Sequence, residues 1–184
     1  MRRQANSYRA NRHPRRQCQT IRLIATALIE RDDALLLVQL AKGPFAGFWL
    51  LPSSSVDEGT VEVTARRMVL ERTGYPVIEQ QLLGVLEEPK PDVLALRFVF
   101  RATVGEREAG VGDAEITQAR WFMREAVHEV LEERDVVPNL GVMSLIRSWV
   151  EGMTLRPLEL LVEDALCPCG SGERFRGCCG WDAK

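Results

Sequence analysis

The sequence lacks an uninterrupted apolar run of about eighteen residues, so it contains no candidate for a membrane-spanning helix. It also lacks the apolar segment of a secretory signal near its first residue, which makes a cytoplasmic protein our expectation. No internal repeat is visible. The hydrophobic share of 46% and the charged share of 27% are those of an ordinary globular protein, and 184 residues suffice for one core with appendages.

Acidic residues are absent from residues 1–22, although that stretch contains seven arginines. Because the net charge of the whole chain is −2, the remainder of the chain is clearly acidic. We predict that residues 1–19 form a basic, flexible arm, and such an arm suits the phosphate backbone of a nucleic acid. Two alternatives stay open, namely a solvated leader without a partner and an organellar transit peptide.

Four of the five cysteines lie within thirteen residues near the end of the sequence, and Cys18 stands alone in the basic arm. Disulfide frameworks are typical of exported domains, so clustered thiols in this chain favour a metal site. Zinc takes four thiolate or imidazole ligands in closed structural sites. The candidate ligands are Cys167, Cys169, Cys178 and Cys179. The sequence therefore predicts a structural zinc site of four cysteines, with four reduced, unligated thiols as the alternative.

The segment 166–181 resembles the SEC-C zinc motif, named after the C-terminus of the SecA ATPase. The resemblance rests on the opening Cys167-Pro168-Cys169-Gly170-Ser171-Gly172, on the basic and aromatic Arg174-Phe175-Arg176, and on the closing pair Cys178-Cys179. It implies a module that docks to a protein partner or makes ribosome-associated contacts. A segment this short cannot bury a core of its own, so zinc binding, about 10 to 16 kcal/mol in small zinc peptides, would fold it.

Apolar runs of strand-like composition lie on both sides of one helical stretch between residues 20 and 135. Ala65, Met68 and Val69 recur at helical spacing, and Gly74 is well placed to end that helix. The pattern predicts strands over 21–30, 34–40, 77–87, 93–104 and 117–123, and helices over 61–73, 124–133 and 140–149. Residues 136–165 are predicted to form a helical extension that leads to the cysteine segment.

The order of these elements and several short motifs resemble the Nudix hydrolase fold over residues 20–135. The matching pieces are Gly47-Phe48-Trp49-Leu50-Leu51-Pro52, Val56-Asp57-Glu58-Gly59, Arg67 with Glu71 and Thr73-Gly74, and Glu115 with Trp121-Phe122. The resemblance implies an α+β protein, specifically an α/β/α sandwich in which a mixed, curved sheet lies between helices. It also implies a family that cleaves nucleoside diphosphates linked to another group, with Mg²⁺ held by glutamates of the helix.

The predicted helix departs from the family signature at the positions that would bind this metal. Counted back from Gly74, Met68 replaces the first glutamate, Glu71 keeps the second, and Arg72 replaces the third. Positions 68, 71 and 72 share one face of a helix. Mg²⁺ prefers carboxylate oxygens to a thioether or a guanidinium. With one carboxylate of three, we expect no efficient hydrolysis of the usual kind.

We therefore interpret the chain as a Nudix-fold protein with a degraded magnesium-binding box, which binds a nucleotide or phosphate group or docks to a partner. Arg67 and Arg72 are the candidate substrate-binding residues, because guanidinium groups pair with phosphate. Glu71 and Glu115 are the candidate catalytic residues if the protein is an enzyme, since Glu115 matches a position that some family members use as a base. Structural roles compete, because Arg67 and Glu71 are spaced for a surface ion pair.

Two alternative functions stay open. One is a divergent Nudix hydrolase that uses Mg²⁺ or Mn²⁺, with ligands rebuilt from Asp57, Glu58 or Glu62. The other is an RNA- or ribosome-associated factor in which the Nudix fold serves as a scaffold.

Ser53 and Ser54, which stand where the family has glycines, are a further departure from the signature.

Overall fold

The structure is a computed structural model that describes residues 20–89, 93–108, 112–153, 158–160, 166–169, 171–175 and 178–179. The basic arm predicted for residues 1–19 lies outside the described residues. In chain order the elements are β1 (Thr20–Arg31), β2 (Ala34–Leu40), β3 (Trp49–Leu50), β4 (Ser53–Ser55), α1 (Val61–Thr73), β5 (Val77–Pro89), β6 (Val93–Val104), β7 (Ile116–Met123), α2 (Arg124–Glu132), α3 (Leu140–Val150) and β8 (Leu158–Leu160).

Local signals in the sequence account for the ends of helix α1. The Thr60 side chain caps the helix by accepting a hydrogen bond from the Val63 N–H at 3.3 Å. Gly74 ends it with φ of 74°, a left-handed conformation that costs glycine little. Helix α1 therefore occupies the range predicted from the apolar spacing and from the glycine that follows it.

The strands form one mixed sheet in the order β3-β2-β1-β6-β5-β8, in which β4 also pairs with β1 and β7 also pairs with β2. Strand β1 pairs in parallel with β6 along ten residue pairs, from Thr20 opposite Val93 to Ile29 opposite Ala102. Strand β5 is antiparallel to β6 and parallel to β8. The mixed character of the sheet confirms the predicted fold class.

Helices cover both faces of this sheet. On one face, Met68 and Val69 of α1 pack with Ala27, Ile29 and Leu36. On the other face, α2 and α3 bury a larger apolar set against β1, β2 and β6, which includes Leu28, Leu35, Val99, Val127, Leu131, Met143 and Ile146. Alternate residues of β1 point to the two faces, as strand geometry requires. The α/β/α sandwich is thus confirmed.

A buried polar network fastens α3 to the sheet. Arg97 of β6 is 4% exposed and Glu88 of β5 is 7% exposed, and Arg97 Nε donates to Glu88 Oε1 at 2.5 Å. Arg97 also donates to the Thr26 hydroxyl at 2.8 Å and to the Asn139 amide oxygen at 3.2 Å. The same amide oxygen of Asn139 caps α3 by accepting from the Val142 N–H at 2.9 Å. The network thereby joins β1, β5, β6 and the start of α3.

Strands β3, β4 and β8 were absent from the sequence prediction, and Trp49–Leu50 of β3 pair antiparallel with β2. Ser53–Ser55 pair antiparallel with Ile24–Thr26 of β1. Leu158–Leu160, inside the predicted helical extension 136–165, form a strand beside β5 instead of a helix. Among the described residues, none of the helices has the length and apolar character needed to cross a membrane.

Candidate functional site

The exposed face of α1 carries two of the predicted site residues. Arg67 Nε lies 4.0 Å from Glu71 Oε1, and the two side chains are 52% and 56% exposed. An exposed pair of this spacing contributes about 0.3 to 0.5 kcal/mol to stability. Both groups are therefore free to turn toward a ligand at little energetic cost.

Met68, one turn before Glu71 and Arg72 on the same helix, points into the protein core. Its side chain is 2% exposed and packs with Ala27, Ile29 and Leu36 of the sheet. The residue that stands where the family signature has its first glutamate is therefore an apolar packing residue.

Arg72 is held between two carboxylates that come from the loop before β7. Its Nε lies 3.4 Å from Asp113 Oδ2 and its Nη2 lies 3.3 Å from Glu115 Oε2. The Arg72 side chain is only 13% exposed. The loop is itself ordered by hydrogen bonds, from the Glu115 N–H to Asp113 Oδ1 at 2.8 Å and from the Ala41 N–H to the Glu115 carbonyl at 2.8 Å. We call the group formed by Arg72, Asp113 and Glu115 the acidic corner. It contains a positive charge that both carboxylates hold in place.

In this corner the guanidinium of Arg72 lies between carboxylates that could otherwise hold a cation. Two of its carboxylates already share the guanidinium of Arg72, and a cation repels a second cation placed beside it. Asp57, Glu58 and Glu62, the residues from which a rebuilt site was envisaged, are exposed. In the described part of the chain, the cysteines form the sole group of three or more metal-ligating side chains brought together.

The serines that follow Pro52 belong to the sheet. The Ser53 hydroxyl lies 3.0 Å from the Thr26 hydroxyl and donates to the Leu51 carbonyl at 3.0 Å. Thr26 in turn accepts from Arg97, so the box loop is linked to the buried network under α3.

The four cysteines near the end of the chain converge on one point. The sulfur atoms of Cys167, Cys169, Cys178 and Cys179 all lie within 4.8 Å of one another, and all four residues are buried. The Sγ atoms of Cys169 and Cys178 are 3.5 Å apart, and those of Cys178 and Cys179 are 3.9 Å apart. Four sulfurs placed about 2.3 Å from a tetrahedral zinc ion would be about 3.8 Å apart. The donor set and its spacing therefore fit a zinc ion.

Backbone hydrogen bonds shape the segment that carries these thiols. The Cys167 N–H donates to the Glu173 carbonyl at 2.7 Å, and the Cys178 N–H donates to the Phe175 carbonyl at 3.1 Å. Gly172 has φ of 77°, which the tight turn between the two cysteine pairs requires. The two pairs are thus brought face to face by the turn between them.

The thiols differ in acidity. Burial would raise the pKa of Cys169, but hydrogen bonds with the Ser171 hydroxyl and backbone outweigh it and lower that pKa to about 6. Burial raises the pKa values of Cys167 and Cys179. The thiolate is the form that binds metals, so Cys169 is the first of the three to reach it as the pH rises.

The profile of the NUDIX domain matches residues 20–141, and a chain with this sandwich and this profile belongs to the NUDIX family. A NUDIX hydrolase from Nitrosomonas europaea has the same fold, with a TM-score of 0.63 and 24% identity over 73% of this chain and 92% of that one.

Two relatives extend the comparison. The human 8-oxo-dGDP phosphatase NUDT18 is 29% identical over 140 residues, which are 75% of this chain and 43% of the relative. The ADP-ribose pyrophosphatase of Methanocaldococcus jannaschii is 35% identical over 88 residues, which are 45% of this chain and 52% of the relative. The chain thus spans about half the length of these two relatives.

The structure brings together some predicted site residues and separates others. Arg72 and Glu115 are in contact, and Arg67 and Glu71 form a separate pair one turn away. Asp113, the second partner of Arg72, was missed. Its position two residues before Glu115 in a loop is the one signal in the sequence that could have identified it.

Proposed function

We propose that this protein binds a nucleotide or another phosphate-bearing ligand through its Nudix fold without hydrolysing it efficiently, and that it holds a structural zinc ion in its tail. The observation that carries the first part is the pairing of Arg72 with Asp113 and Glu115. The guanidinium neutralises the carboxylates of the corner and stands where one glutamate of the family signature would be. This arrangement supports a degraded magnesium-binding box.

Arg72 can bind a phosphate group while it keeps its ion pair with Asp113. Its Nε faces Asp113, whose side chain is 24% exposed, while its Nη2 faces Glu115, whose side chain is 65% exposed. An exposed carboxylate is readily displaced, because an exposed ion pair contributes little free energy. A phosphate oxygen could therefore replace Glu115 at Nη2 while Asp113 keeps the guanidinium oriented. Arg67, on the exposed face of α1, supplies a second cation.

Calorimetric titration without divalent metal tests this proposal. The ligands are ADP-ribose and 8-oxo-dGDP, the compounds that the names of the two relatives specify, with inorganic phosphate as the minimal probe. We expect binding that weakens in Arg72→Gln and stays unchanged in Arg101→Gln, because Arg101 pairs with Glu30 elsewhere on the sheet. Absence of binding to every ligand would contradict the proposal.

Hydrolysis is the second candidate function, favoured by the phosphatase and pyrophosphatase names of the relatives. It is tested by product formation from the same compounds with Mg²⁺ or Mn²⁺. Turnover that disappears in Glu71→Gln and persists in Glu79→Gln, a matched exposed glutamate on β5, would establish an enzyme and refute the non-hydrolytic proposal.

For the tail we propose a SEC-C type zinc site that docks to a protein or ribosome-associated partner in the cytoplasm. Leu166 is 70% exposed beside the buried cysteines and offers an apolar contact. Native mass spectrometry should find one zinc ion per chain. Cosedimentation with ribosomes at increasing salt concentration, repeated without residues 1–19, distinguishes the roles of arm and tail. Binding that requires the arm and falls steeply with salt would indicate RNA contacts instead.

A further inference from the structure

The cysteine site is packed into the main core of the Nudix domain. The four cysteines and Phe175 belong to the same buried cluster as Trp49 of β3, Val136, and Met143 and Ile146 of α3. The segment 135–137, which joins α2 to α3, is hydrogen-bonded to β3, because the Trp49 N–H donates to the Asp135 carbonyl at 2.7 Å and the Val137 N–H donates to the Trp49 carbonyl at 2.9 Å. The cysteine site therefore packs against segment 135–137, which is hydrogen-bonded to strand β3 of the sheet.

Arg147 of α3 reaches the cysteine segment directly. Its Nε donates to the carbonyl of Pro168 at 2.6 Å, and Pro168 is the residue between Cys167 and Cys169. Its Nη2 is buried and lacks a hydrogen-bond partner in the described structure. Glu151 Oε1 lies 3.9 Å from Arg147 Nε, but the Glu151 side chain is 47% exposed and does not bond to Nη2. A buried guanidinium nitrogen without an acceptor is costly, so negative charge on the cysteine side of Arg147 would stabilise it.

Arg134 is an exposed residue that shares a cavity with one of the four cysteines. It follows the C-terminal end of α2 with φ of 62°, a left-handed conformation that is unfavourable for arginine. Its N–H donates to the Leu131 carbonyl at 3.2 Å, and it lines a cavity of about 350 Å³ together with Cys179, Phe45 and Phe48.

We propose that Arg134 and Arg147 are outer-sphere partners of the zinc site, so that the tail and the Nudix domain hold the metal jointly. The inference rests on the proposed zinc site. One Zn²⁺ ion with four thiolates carries a net charge of −2, and two guanidinium groups of the Nudix domain balance it. Residues that orient or neutralise metal ligands typically change metal affinity by about 10- to 100-fold when they are replaced.

Zinc retention by the full-length protein tests the inference. The purified, zinc-loaded protein is titrated with a chromogenic chelator, and the fraction of zinc removed is measured at increasing ionic strength. We expect Arg134→Gln and Arg147→Gln to lose zinc at about tenfold lower chelator concentration than the parent protein. Arg134→Lys, which keeps the charge, should retain zinc more tightly than Arg134→Gln. The control Arg101→Gln should match the parent protein.

The variant Arg134→Gly distinguishes an effect of the arginine's charge on zinc retention from an effect of its strained backbone conformation. Glycine relieves the left-handed conformation at residue 134, so a role limited to backbone strain predicts unchanged or improved zinc retention, whereas loss of the charge predicts weaker retention. Equal retention in Arg134→Gln, Arg134→Gly and the control would overturn the inference for Arg134 even if Arg147 variants fail to fold. A parent protein without stoichiometric zinc would instead refute the zinc site on which the inference rests.

Discussion

Gly141, the second residue of α3, packs directly against the carboxylate of Glu88, and a Cβ atom on residue 141 would overlap Glu88 Oε1. The same Cβ would lie 2.9 Å from Arg97 Nε. Only a glycine therefore lets the first turn of α3 approach the buried ion pair of β5 and β6. The close approach explains why α3 tolerates a residue of low helix propensity near its start.

Gly141→Ala is expected to destabilise the protein by roughly 1 to 3 kcal/mol, the range for overpacked sites, despite the better helix propensity of alanine. Urea unfolding followed by tryptophan fluorescence measures the change. The control is Gly105→Ala, where the nearest atom to an added Cβ is Pro76 Cγ at 3.4 Å. An unchanged midpoint in Gly141→Ala would show that α3 does not sit so close to Glu88.

The buried Arg97–Glu88 pair makes a second prediction. Arg97→Met leaves the Glu88 carboxylate buried without a cation, with the Asn139 amide at 3.2 Å as its remaining donor, and we expect a loss of about 3 to 5 kcal/mol in the free energy of unfolding. The double variant Arg97→Met with Glu88→Leu removes both charges and should recover most of that loss. A double variant as unstable as the sum of the single variants would argue against a direct coupling between the two residues.

The acidic corner around Arg72 gives a third prediction. Arg72→Glu removes the cation that Asp113 and Glu115 share and adds a third carboxylate, so we expect Mg²⁺ or Mn²⁺ binding that calorimetry detects and that the parent protein lacks. Met68 is buried, so Met68→Glu would instead place a carboxylate in the core. Arg67→Glu is the matched charge reversal on the exposed face of α1. An equal gain of metal binding in that variant would contradict a metal site formed by residue 72, Asp113 and Glu115.

Removal of one thiol tests the link between the cysteine site and the domain. Cys178→Ser should abolish stoichiometric zinc binding, as measured by native mass spectrometry. Because the cysteines share a core with Val136 and Met143, hydrogen exchange should accelerate in residues 133–147 while the paired strands β1 and β6 stay protected. Uniform acceleration throughout the chain would show that the sheet itself depends on the metal.

Much of the fold was predictable because its signals are local. The spacing of Ala65, Met68 and Val69, with Gly74 behind them, fixed the helix α1 that the structure contains. Strands β1 and β2 were equally predictable, because their apolar runs flank a turn at Asp32 and Asp33. These two residues have φ of 48° and 59° in the structure. The cysteine cluster was predictable for the same reason, since its members are close in sequence.

Features that depend on distant partners were not predictable. Glu88 and Arg97 are charged residues in strands, a residue type that is usually exposed, and they are buried here among partners from β1 and the start of α3. The Asp113 partner of Arg72 lies in a separate loop far along the chain. Leu158–Leu160 are apolar but short, and a run of this length becomes a strand only because the edge of β5 is available. The roles of Glu71, Glu115 and Arg67 stay predictions.

Strand β8 has a consequence for how the protein behaves in solution. It lies in parallel beside β5, with Val85 opposite Leu158 and Glu87 opposite Leu160, and so covers three residues at one border of the sheet. A border strand without a neighbour offers its backbone groups to other chains and invites self-association. A version cut after Met153 would retain the whole matched domain yet leave Val85–Glu87 of β5 without this neighbour, and we expect it to aggregate more readily than the full chain.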